Sequence, residues 1–147
     1  MLRTSGTFRR RLDACPAPRL PGMNGTPVGS FDAITIDCLD PERLAEFWCQ
    51  VFETKVDTRN GDPVHYIDLL PAAGAPTLRL QRVPEAKTIK DRLHLDILVD
   101  DLDHAVKQVE SLGAVRAENG QLSEYGYSFH VMLDPEGNEF CLVRRED

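Results

Sequence analysis

His94 and Asp96 are the residues of this 147-residue sequence whose types and spacing point most directly to chemistry. They stand two apart in the run Arg92-Leu93-His94-Leu95-Asp96-Ile97-Leu98-Val99. In an extended strand alternate residues share a face, so the imidazole and the carboxylate project together, with Leu98 beside them. Leu93, Leu95, Ile97 and Val99 form the opposite, apolar face and suit a core. An imidazole next to a carboxylate can act as an acid/base pair or anchor a polar ligand, because histidine titrates near physiological pH. A carboxylate on such a face must be hydrogen-bonded or open to a solvated cleft, since burying it alone is costly. No serine occupies a strand-turn-helix elbow, so a nucleophilic triad is not expected.

Other polar residues are expected to join this cleft. Thr35 and Asp37 alternate with Ile34, Ile36 and Cys38 on an earlier strand and should face the same space. His130 lies between Phe129 and Val131 and is placed in the cleft as well. His65 and His104 are expected in solvent. The cysteines Cys15, Cys38, Cys49 and Cys141 show no C-x-x-C spacing, which suits reduced thiols in a cytoplasmic protein.

The elements that must position these residues follow from hydrophobic periodicity. Residues 31–38 read as a strand. Asp40-Pro41-Glu42 then opens a helix with an N-cap, a proline at N1 and an acid in the first turn. Leu44, Phe47, Trp48, Val51 and Phe52 form its apolar stripe. Strands are expected at 55–58, 64–70 and 77–83, the first two joined through Asn60-Gly61. After a polar linker at 84–91 the order repeats. A strand covers 92–99, and a helix covers 101–112, stopped by Gly113. Residues 114–117 are expected to be short and extended, 118–124 a loop, and 125–133 and 139–143 strands. The two halves are therefore both β-α-β-β-β. Sliding the chain by 61 residues superposes Thr35 on Asp96 and Asp40 on Asp101, as a structural duplication would.

Charge and composition narrow the partners. Residues 1–22 carry five arginines and one aspartate, a net of +4; subtracting this from the total of −7 leaves −11 for the remainder. So acidic a body argues against nucleic acid and suits neutral or cationic ligands. No apolar run approaches the roughly 20 residues of a membrane span. Residues 1–30, rich in proline, glycine and arginine, read as a disordered extension preceding a domain at 31–143. A native start at Met23 or a transit-peptide-like segment would give the same composition.

Four stretches resemble a known family: Asp-Pro-Glu-Arg-Leu-Ala-Glu-Phe-Trp (40–48), Leu-Gln-Arg-Val-Pro-Glu (80–85), Arg-Leu-His-Leu-Asp (92–96) and Asp-Pro-Glu-Gly-Asn-Glu-Phe-Cys (134–141). Together with the repeated element order they resemble the glyoxalase-like domains of the vicinal oxygen chelate superfamily, which includes glyoxalase I, extradiol dioxygenases and bleomycin-resistance proteins. The resemblance implies an α+β fold of two tandem βαβββ modules, at 31–83 and 92–143. Each would be a curled half-barrel sheet covered by one helix, the two enclosing a cleft. It places Ala33, Gln81, His94 and Cys141 at the positions where metal-using members hold their ion. Ala33 offers no donor and Gln81 only a neutral oxygen, so no tightly bound catalytic metal is expected. The expectation is a small organic ligand bound in a cleft that includes Thr35, Asp37, Gln81, His94, Asp96, His130 and Cys141, with His94 and Asp96 carrying any catalysis. The alternatives are a divalent-metal lyase, isomerase or dioxygenase, and a drug-sequestering protein. A homodimer is the expected assembly.

Overall fold

Both helices begin where an aspartate can cap them. In a computed structural model describing residues 29–146, Asp40 accepts hydrogen bonds from the Glu42 and Arg43 amides at the start of α1 (Pro41–Val51). Asp101 accepts one from the His104 amide at 2.9 Å, at the start of α2 (Leu102–Ser111). Each cap satisfies amide donors that the first turn leaves without a partner inside the helix. The expectation for residues 1–30 falls, but for its last two residues, outside the described residues.

The strands are β1 (Ala33–Cys38), β2 (Val56–Asn60), β3 (Tyr66–Leu69), β4 (Thr77–Arg82), β5 (Leu95–Leu98), β6 (Val115–Glu124), β7 (Tyr127–Leu133) and β8 (Glu139–Arg145). They form two open four-stranded sheets, ordered β1-β4-β3-β2 and β5-β8-β7-β6. In each sheet the first strand pairs in parallel with the fourth, and the other pairings are antiparallel. The fold is α+β with two tandem βαβββ modules. No described helix is long and apolar enough to cross a membrane.

Each helix lies on one face of its own sheet, α1 over β3 and β4 and α2 over β7 and β8. The buried stripe of α1, including Leu44, Phe47 and Trp48, joins Ile67, Leu69 and Leu80 beneath it; Val106 and Val109 of α2 join Met132 and Leu142. These residues form one cluster rather than two. Phe140 of β8 reaches Phe47 and Trp48 of α1, with ring centroids 6.0 and 5.2 Å apart in edge-to-face contact.

The turn at residues 134–138 ties the modules together through polar contacts. Buried Asp134 accepts hydrogen bonds from the Glu136 amide and from both the amide and the side chain of Asn138. Glu136 in turn accepts from the Leu39 and Asp40 amides, ahead of α1. Burial raises the Asp134 pKa against these bonds. Among the described residues Trp48 Nε1 is buried without a hydrogen-bond partner, yet lies near enough to Asp134 to favour its charged form.

Two expectations need correction here. Residues 118–124 are not a loop: β6 runs unbroken from Val115 to Glu124, with a register shift against β7 between Arg116 and Gln121. Gly120, at φ +66°, lets the strand bulge instead of turning. The hairpin turn comes later, at Tyr125-Gly126, both at positive φ as a two-residue turn between twisted strands requires. Alternation places Leu93 on the apolar face of the fifth strand, but β5 begins only at Leu95, and Leu93 is exposed.

Candidate functional site

The face of the second sheet turned away from α2 is built in ranks, because paired residues on neighbouring strands point the same way. Asp96 pairs with Cys141, which pairs with Val131. One rank along, Leu98 pairs with Val143, and Val143 with Phe129. In the third rank Arg145 pairs with Tyr127, and Tyr127 with Glu124. His94 stands just before the first rank. All of these residues but Val131, together with Tyr125, line an open cavity of about 530 Å³, within the size range of small-molecule sites.

At one end of the cavity His94 Nε2 lies 3.3 Å from Asp96 Oδ1. Both side chains remain substantially exposed, so the pair can meet a ligand. The Cys141 sulfur completes a cluster in which one candidate donor atom from each residue lies within 4.8 Å of the others. Cys141 is buried, and burial together with the neighbouring Asp96 carboxylate pushes its thiol up to about 11. It therefore presents a neutral S–H at neutral pH, not a nucleophilic thiolate.

The structure brings together part of the expected site. His94, Asp96 and Cys141 share the cavity. Thr35 and Asp37 face a smaller adjoining cavity of about 240 Å³ that also reaches His94. His130 does not join them. It alternates with Phe129, pairs with Leu142 of the core, and lies buried on the side of β7 that faces α2. Gln81 pairs with Asp37 and Tyr66, one rank away from the position that mirrors Cys141. That position belongs to Arg79, which pairs with Thr35 as Cys141 pairs with Asp96. Arg79 binds Asp68 through two hydrogen bonds of 2.7 and 2.9 Å, and lies 3.6 Å from Asp32. The Arg79 hydrogen bond holds the Asp68 carboxyl below its usual range.

Leu98 lines the cavity on the face that alternation gives it, whereas Tyr127, Phe129, Val143 and Arg145 are lining residues that sequence reasoning missed, although counting by twos from Cys141 reaches Val143 and Arg145. A further cavity of about 500 Å³, mostly apolar, opens between the modules beside Ile34, Phe52, Leu78 and Ile97.

Two open sheets, each covered by a helix and related by duplication, define a tandem βαβββ protein with a cleft. The chain matches the Glyoxalase-like domain family over residues 33–143 and belongs to that family, within the vicinal oxygen chelate superfamily. Comparison with curated proteins finds no match. Among solved structures, a glyoxalase/bleomycin resistance protein/dioxygenase family enzyme from Burkholderia phytofirmans PsJN is 20% identical, with a TM-score of 0.65 over 80% of this chain and 99% of that one. A glyoxalase family protein from Bacillus cereus is 15% identical, with a TM-score of 0.63 over 85% of this chain and 99% of that one. TioX from Micromonospora sp. ML1 is 20% identical, with a TM-score of 0.55 over 80% and 99%. At these identities the likeness is one of fold.

Proposed function

We propose that the chain binds a small organic molecule on the open face of its second module, without needing a tightly bound catalytic metal. One observation carries this reading. The exposed His94–Asp96 pair stands at the end of a cavity of about 530 Å³ whose middle is apolar. Asp96 accepts hydrogen bonds, His94 donates or accepts according to its protonation, and the Cys141 thiol donates weakly. In the first module the mirrored position holds Arg79, a cation already paired, where a shared metal would want a donor.

A thermal-shift screen of the full chain against a metabolite panel tests the reading. A ligand at 100 times its Kd adds about 2.7 kcal/mol, several degrees for a domain of this size. The shift is expected for the native protein and should vanish for His94→Ala. A panel that shifts neither protein, or both equally, argues against the site.

One observation favours a second reading, a metal-dependent lyase, isomerase or dioxygenase. The donor atoms of His94, Asp96 and Cys141 lie close enough to converge on one ion. The mixed nitrogen, oxygen and sulfur set fits a zinc-class ion better than magnesium or calcium, which prefer oxygen ligands. Such an ion would polarise a substrate oxygen or lower the pKa of a bound water. Loss of thermal stability on adding EDTA, restored by zinc and absent in His94→Ala, would select this reading over the metal-free one.

A further inference from the structure

The cavity on the second sheet has two unlike ends. Its first rank offers an acceptor: the Asp96 side chain is 64% exposed, and its contacts with His94 and Cys141 leave acceptor sites open. Its middle rank is apolar, with Leu98 left 62% exposed beside Phe129 and Val143. Its third rank carries Arg145, the one permanent cation of the lining. Among the described residues Arg145 has no ion-pair partner; Glu124 belongs to the same rank but stands two strands away, beyond Tyr127. From Cys141 to Arg145 is four residues of strand, about 13 Å at some 3.3 Å per residue.

The charges around the cavity restrict what can span it. A simple anion would meet Arg145 but also the acidic body of the domain, Asp96 and Glu124. A simple cation would meet Asp96 and leave Arg145 without a partner. A molecule with a carboxylate at one end, an ammonium at the other and an apolar spacer between satisfies both ends and carries no net charge against the acidic body.

We propose that the cleft selects such a molecule, an elongated amino acid of the ω-amino type whose carboxylate pairs with Arg145 and whose ammonium meets Asp96, with its apolar spacer lying over Leu98, Phe129 and Val143. The proposal rests on the reading of this cleft as a small-molecule site and adds the ligand class and its orientation. Arg145 is then a specificity residue for the acid end, and Asp96 for the amine end.

Calorimetric titration of the full chain with ω-aminooctanoate, octanoate and octylamine tests this. The amino acid is expected to bind up to about fivefold tighter than either single-ended probe, as one exposed ion pair warrants. Arg145→Gln should lower its affinity to that of octylamine while leaving octylamine itself unchanged, and Arg145→Lys should restore part of the loss. Asp96→Asn should lower it to that of octanoate. Circular dichroism melts establish that each variant folds; Arg145 is exposed and in no ion pair among the described residues, so its variants should match the native protein. Equal binding of all three probes, or indifference of the amino acid to Arg145→Gln, would overturn the proposal and leave the cleft reading intact. Absence of binding by all three would also overturn it, and the metabolite panel with His94→Ala then decides the cleft reading separately.

Discussion

The two modules share an element order, a helix start and a strand pairing, yet their open faces differ in kind. In the first, the central rank is closed by Arg79 and Asp68, a two-bond ion pair with most of both side chains covered. In the second, the corresponding rank holds Asp96 and Cys141, with His94 beside them and space in front. The chain trace does not account for the difference at this rank, because the parallel pairing of β1 with β4 matches that of β5 with β8. It arises from which side chains fill a rank. A guanidinium beside a carboxylate satisfies itself and leaves little for a ligand. An acceptor beside a neutral thiol, facing a cavity, keeps its hydrogen bonding available.

The largest expected effect tests how far the modules are separate at all. Phe140 joins the helix of the first module to the sheet of the second. Phe140→Ala should cost about 3–5 kcal/mol in urea denaturation, and the whole domain should still unfold in one transition. Two transitions would show that the modules do not share a core.

Arg79→Ala should cost less, about 1–2 kcal/mol, because it leaves the largely covered Asp68 carboxylate without its main partner. The pH dependence has a definite sign. The pKa of Asp68 is held down in the folded state, so its contribution is present above the unfolded value near 4 and is lost as pH falls through the folded value. Denaturation midpoints measured down the acid range should therefore fall less steeply for Arg79→Ala than for the native protein.

The helix caps should show the modules as equals. Asp40→Ala and Asp101→Ala should each cost about 1 kcal/mol in the same assay. A clearly larger loss at Asp40 would mean that the contacts of Glu136 with the neighbouring amides depend on that cap.

The smallest effect on stability, within about 0.5 kcal/mol, belongs to His94→Ala, since His94 is exposed and its partner Asp96 is too. The contrast with Arg79 is the point. One module should lose stability and the other should lose ligand binding, and a large stability loss at His94 would make that residue structural.

Much of this was legible in the chain. Aspartate caps, apolar stripes and the Asp134-Pro135-Glu136-Gly137-Asn138 turn predict both helices and the module order, because they depend on neighbours within a few residues. Asn119-Gly120 misled, since the same dipeptide serves a hairpin turn or a bulge, and only pairing with β7 decides between them. The true turn uses Tyr125-Gly126, and a tyrosine there carries no such local signal. His130 shows the limit of alternation: the period says that it opposes Phe129 without saying which of the two faces the helix. Arg79 was hidden by an offset. The repeat is 61 residues at β1 and β5, but 62 at β4 and β8 (141 − 79), so a uniform slide sets Cys141 against the buried Leu80.

By itself the sequence determined the α+β class, the duplication, and the pairing of His94 with Asp96, because periodicity, caps and i, i+2 spacing are local properties of a chain. Only the tertiary structure decided that Cys141 joins that pair, that His130 turns to the helix, that Arg79 closes the first module, and that Arg145 faces the far end of the second. Each of these depends on strand register, which long-range packing sets, and a shift of one residue reverses every side chain on a strand.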